Sequence, residues 1–139
     1  MVYIHTLEHA QAALNAADEL DIFVTLCTPP GAEHYIGLTS LQALFEFAGR
    51  AYPNLEYSIV LDCAMDVALA HRAILMGFQT IILDSLGPEN KKLKQIASKS
   101  GIKILNSRLT IDILDLLDSD EPYTLCKQYY RRSTNSRTK

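Results

Sequence analysis

The stretch from Tyr57 to Asp84, YSIVLDCAMDVALAHRAILMGFQTIILD, constrains the fold more than any other part of the 139-residue chain. Ser58–Leu61 and Thr80–Leu83 are short, β-branched and almost continuously apolar, the pattern of strands covered on both faces. Between them Ala64–Met76 is rich in Ala and Leu and long enough for two to three helical turns, and Gly77 sits where a left-handed cap closes a helix. A helix of this length joins parallel strands by a crossover that is nearly always right-handed. Each strand ends in an acid, Asp62 and Asp84. Open α/β sheets bind ligands at that end, so the two acids are expected to share one rim.

The rest of the chain repeats the alternation. Val2–Ile4 reads as a short strand. Thr6 caps a helix in which Leu7, Ala10, Ala13, Leu14, Ala17 and Leu20 recur on one face. Ile22–Cys27 is a second buried strand, followed by a loop over residues 28–40 with two prolines and two glycines, a length often tied to function. Ser40 or Thr39 is expected to cap a helix over Leu41–Tyr52, stopped by Pro53. Pro88 fits the first position of a helix that Gly101 ends, and Ile102–Leu105 is a fifth strand. Thr110 is expected to cap a helix through Leu117. Its apolar arc is wider than one sheet face needs and points to a second subunit, hence a homo-oligomer. Tyr123–Arg132 reads as a final helix. The pattern predicts a single three-layer α/β domain over 1–121, a mostly parallel sheet of four or five strands with helices on both faces, flavodoxin-like or a half-barrel, and a basic helix or tail over 122–139. Eight βα units would need nearly twice the length.

The central unit resembles a segment of the class II fructose-bisphosphate aldolases. The matching residues are Val60-Leu61-Asp62-Cys63, Ala68–Ala73, Gly77-Phe78 and Ile81-Ile82-Leu83-Asp84-Ser85. In that family the acid of the first motif is the catalytic acid/base and a zinc-binding His follows it; by position these roles fall on Asp62 and Cys63. Cys63 replaces the His, and the family's glycine-rich phosphate loops have no match. The resemblance implies kinship of fold rather than aldolase activity.

Several groups carry candidate chemistry. Asp62, Cys63 and Asp66 form a pair of carboxylates with a thiol, able to move a proton or hold a divalent ion, while either acid is equally suited to capping the helix that follows. Cys27 closes the neighbouring strand and could share a thiol site with Cys63. Asp84-Ser85-Leu86-Gly87-Pro88 leads into a helix start with Lys91 one turn on, a setting for a small anionic ligand. Asn106 ends the fifth strand. His34, in the long loop, is a catalytic candidate because such a loop can close over the strand ends. His5 and His9 stand four apart. The three cysteines form no CxxC motif, and there is no Walker or GxGxxG loop, so no cofactor is named.

Charge bears on partners. All 16 acids lie in residues 1–121 with eight of the 13 bases, so that part carries −8 and the remaining 18 residues +5. An acidic body repels nucleic acid, and the tail is expected to dock on an acidic surface. No apolar run approaches the roughly 20 residues of a membrane span, and the N-terminus lacks signal-peptide order, which makes the cytoplasm the expected compartment. Two readings follow: a ligand-binding or regulatory domain with its site near Cys27, Asp62, Asp84 and Asn106, or a small lyase- or isomerase-like enzyme with Asp62 as base, assisted by Cys63 or His34.

Overall fold

Six strands run parallel in one sheet in the order β5-β4-β3-β2-β1-β6. The computed structural model describes residues 1–84, 87–106 and 112–137. In chain order they form β1 (Val2–Tyr3), α1 (Leu7–Leu20), β2 (Val24–Cys27), α2 (Leu38–Gly49), β3 (Tyr57–Asp62), α3 (Val67–Leu75), β4 (Thr80–Ile82), α4 (Pro88–Lys99), β5 (Lys103–Leu105), β6 (Leu114–Asp115) and α5 (Pro122–Arg137), with a 3₁₀ turn at Ala32–His34. The α/β class and the parallel sheet stand as expected. Among the described residues the sheet has six strands, where four or five were expected.

From β1 to β5 every strand is laid beside its predecessor, always in the same direction. Crossovers of the usual right hand then put α1 to α4 on one face, and the packing agrees. Leu61, Ile81 and Leu83 are buried with Leu69, Ala73, Leu93 and Ala97 of α3 and α4. Val2, Val24 and Leu26 are buried with Ala10, Ala13 and Leu14 of α1, Phe45 of α2 and Cys126 and Tyr130 of α5. The opposite face has its own small cluster, Cys27, Val60 and Ile82 with Met1, Tyr3 and Leu105, and among the described residues no helix residue belongs to it. This corrects the expected three layers with helices on both faces. The strands are apolar on both sides because the inner side packs strand against strand. Sequential order with helices outside is the order of strands in a (β/α) barrel.

Local signals set most boundaries. Thr6 accepts the His9 N–H at 3.1 Å and caps α1. Asp66 accepts the Leu69 N–H at 3.0 Å and caps α3. α2 begins three residues early. Gly37, at φ 86°, turns the chain into it and no side chain caps it, so the expected caps Thr39 and Ser40 fall inside the helix.

The second correction concerns the expected helix at 110–117. Residues 107–111 lie outside the described residues, and Leu114–Asp115 is a strand paired with Val2–Tyr3. Leu116 is fully buried in this chain's own core, so the apolar arc that pointed to a second subunit does not exist as a helix face. α5 runs further than expected, to Arg137, and lies along α1. The Tyr130 hydroxyl donates to the Ala13 carbonyl at 3.2 Å, and Lys127 pairs with Glu19 at 3.0 Å while Tyr123 also bonds Glu19. The basic tail thus docks on an acid of its own chain. Among the described residues no helix is long and apolar enough to cross a membrane.

Candidate functional site

β3 and β4 are neighbours in register, with Asp62 opposite Ile82. The ladder continues past their ends: Cys63 N–H donates to the Ile82 carbonyl at 2.9 Å and Asp84 N–H to the Ala64 carbonyl at 2.7 Å. Asp62 and Asp84 therefore stand at one end of the sheet on adjacent strands. Side chains alternate along a strand, so Asp62, two residues after Val60, and Asp84, two after Ile82, fall on the inner side with Cys27.

The turn after β3 is built to hold this arrangement. Ala64 has φ 49°, a left-handed conformation costly for a residue with a Cβ. The Asp62 carboxylate accepts the Ala64 N–H at 2.9 Å, an Asx-type bond that supports such a turn. From the other side the buried Thr28 hydroxyl accepts the Asp62 N–H at 3.0 Å. Asp62 is fully buried and Asp84 half-buried.

Cys27 and Cys63 share the edge but not a face. Cys27 lies in the inner cluster and its thiol donates to the Thr28 carbonyl at 3.2 Å. Cys63 packs on the helix side with Leu61, Leu69 and Ala73. The two thiols thus belong to different packing clusters. Burial, then the carboxylates of Asp62, Glu33 and Asp66, push the Cys63 thiol up to about 12. It is packed among apolar side chains, a setting that favours the neutral thiol. Among the described residues no three His, Cys, Asp or Glu side chains are grouped to hold a metal ion.

His34 is 73% exposed and its Nε2 lies 3.3 Å from Glu33 Oε1. Glu33 itself is the surprise. Its side chain is only 10% exposed, and the buried Oε2 has no hydrogen-bond partner among the described residues. No sequence signal separates this acid from any other in a Pro- and Gly-rich loop. Lys91 is exposed in the first turn of α4, whose first residue follows Gly87 with no side-chain cap. Asn106 is exposed just beyond β5, whose Leu105 carbonyl accepts the Leu83 N–H. Ser85 lies outside the described residues. The structure thus brings Asp62, Asp84 and Thr28 together, leaves Cys63 behind the sheet and His34 in solvent, and adds Glu33. At the opposite end of the sheet, a cavity of about 450 Å³ opens beside Met1, Phe23, Val24, Tyr129 and Tyr130.

No family model matches the chain. It is 27% identical over 89 residues to a fructose-bisphosphate aldolase of Stutzerimonas stutzeri, a match spanning 64% of this chain and 25% of that protein. The chain thus spans about a quarter of the length of this curated relative, and the resemblance is partial.

Proposed function

We propose that this chain is a small ligand-binding or regulatory domain whose site is the inner rim at the C-terminal ends of β1 to β4. The observation that carries the reading is the tie between Asp62, Ala64 and Asp84, which spends a left-handed alanine and a buried carboxylate to fix two acidic strand ends side by side. Strain and buried charge kept at strand ends are typical of sites rather than of plain turns. The rim's acids, Glu33, Asp62, Asp66 and Asp84, favour a neutral or cationic ligand. Among the described residues, the start of α4 and Lys91 are what an anionic group would meet. The enzyme reading with Asp62 as acid/base is disfavoured by that residue's complete burial and its hold on the Ala64 N–H.

The test is a thermal-shift panel of neutral sugars, polyols, diamines and fructose 1,6-bisphosphate on the native protein and Asp84→Ala. A ligand at a hundredfold excess over its Kd adds about 2.7 kcal/mol, several degrees in Tm for a domain of this size. A neutral or cationic compound is expected to give that shift, and Asp84→Ala to lose it. A shift of the same size in Asp84→Ala, or none from any compound, contradicts the reading.

A further inference from the structure

We propose that His5 and Asp115 form a proton-transfer pair at this rim, with His5 as general base toward the hydroxyl proton of a small ligand or of water. Val2–Tyr3 pairs in register with Leu114–Asp115, which puts Asp115 at the C-terminal end of β6, and His5 lies just beyond the end of β1. By strand alternation Asp115, opposite Tyr3, falls on the inner side, as do Asp62 and Asp84, and His5 follows β1 at the same end of the sheet.

The geometry is that of an oriented base. His5 Nε2 lies 2.7 Å from Asp115 Oδ1, across 110 residues of chain. A carboxylate only accepts, so Nε2 carries the proton and the basic lone pair sits on Nδ1. Nδ1 meets no hydrogen-bonding partner among the described residues. Asp115 is itself held, since its Oδ1 also accepts the Leu117 N–H at 3.0 Å. The His5 backbone N–H donates to His9 Nδ1 at 3.2 Å, and the two rings meet edge to face with centroids 5.7 Å apart. His9 is buried, so it stands behind the pair as a packed neighbour. The His5 side chain keeps 19% of its surface exposed. A base whose second nitrogen is fixed by a carboxylate is the arrangement that acid–base catalysis requires. Asp115 is the positioning residue.

The pair rests on the rim reading only for where a ligand sits, and its test needs no knowledge of that ligand. The probe is 4-nitrophenyl acetate. His5 Nδ1 takes a proton from water as the water oxygen adds to the acyl carbon. The C–O bond to 4-nitrophenolate then breaks, acetate forms, and the imidazolium returns its proton to solvent. The full-length native protein is compared with His5→Gln, Asp115→Asn and, as a reference for an exposed imidazole, His71→Gln. His5→Gln is expected to lose tenfold or more of the protein-dependent rate, and His71→Gln little. Asp115→Asn is expected to lose severalfold at unchanged Tm. Its His5 ¹⁵N signals should also report a mixture of tautomers where the native protein has Nε2–H alone. Native rates in His5→Gln, or a native rate and tautomer in Asp115→Asn, overturn the proposal. Asp115→Asn decides the matter alone if His5→Gln fails to fold. Loss of ligand binding in Asp84→Ala with a native esterase rate separates this inference from the binding reading.

Discussion

Residues 57–84 and residues 112–137 are fastened in opposite ways. In the first, the turn and cap bonds lie within the unit itself, with one longer tie of 34 residues from the Asp62 N–H to the Thr28 hydroxyl. Asp62 holds the N–H two residues on, Asp66 the N–H three residues on, and Asp84 N–H meets the Ala64 carbonyl. In the second, partners come from the start of the chain: His5 for Asp115, Ala13 for Tyr130, and the N-terminal amine for the Tyr129 hydroxyl, 128 residues away. Contacts of that span repay their closure entropy only through burial. Leu116, Cys126 and Tyr130 supply it, all but absent from the surface. The rim therefore has a half at β3–β4 fastened mostly within one βαβ unit, and a half at β1–β6 that needs partners 110 residues apart to meet.

The contrast can be broken by substitution, and the largest effect belongs to the long-range half. Leu116→Ala removes a fully buried side chain from the cluster joining β1, α1 and α5. It is expected to cost about 2–5 kcal/mol in urea unfolding and to raise amide exchange over 112–137 before 57–84. Equal acceleration of both regions would show that they are one cooperative unit. Asp62→Ala is next. It strips the acceptor from the Ala64 N–H and is expected to cost about 1–3 kcal/mol, with faster exchange confined to the β3–α3 turn.

A smaller effect is read in pH. Burial, then the neighbouring His5, holds His9 below its ordinary value of 6.5. The unfolded chain therefore binds the proton more readily, so stability is full above about pH 6.5 and falls as pH drops toward the folded value. His9→Gln should flatten that slope, and an unchanged slope between native and variant counts against the burial of a neutral ring. The smallest effect belongs to Glu19. Bonds from Tyr123 and Lys127 lower its carboxyl, yet the pair is exposed, and Glu19→Gln should leave the urea midpoint unchanged at physiological salt.

The same difference explains what could be read in advance. β3 and β4 were legible because a continuous β-branched run ending in an acid needs no distant partner to be recognised, and the shared rim of Asp62 and Asp84 followed from the short crossover. Residues 111–117 misled because Asp112, Asp115 and Asp118 recur every third position among leucines and isoleucines, a helical rhythm. Pairing with Val2–Tyr3 overrode it, as tertiary context does for short strands. The helix-free inner face was hidden for a related reason. Val60 and Ile82 are as apolar as residues under a helix, and sequence does not distinguish packing against a helix from packing against the next strand. His5–Asp115 and the unpartnered oxygen of Glu33 depend on approach in space alone.

The central claim is that the functional end of the sheet is the one bearing Asp62, Asp84, His5 and Asp115. Its most direct test is ¹⁵N chemical-shift mapping with the compound that gives the largest thermal shift. The account predicts that perturbed amides cluster at Thr28, Cys63, Ala64, Asp84 and His5. Perturbations centred on Phe23, Val24 and Tyr129–Thr134, where the 450 Å³ cavity opens, would place the site at the opposite end and contradict it.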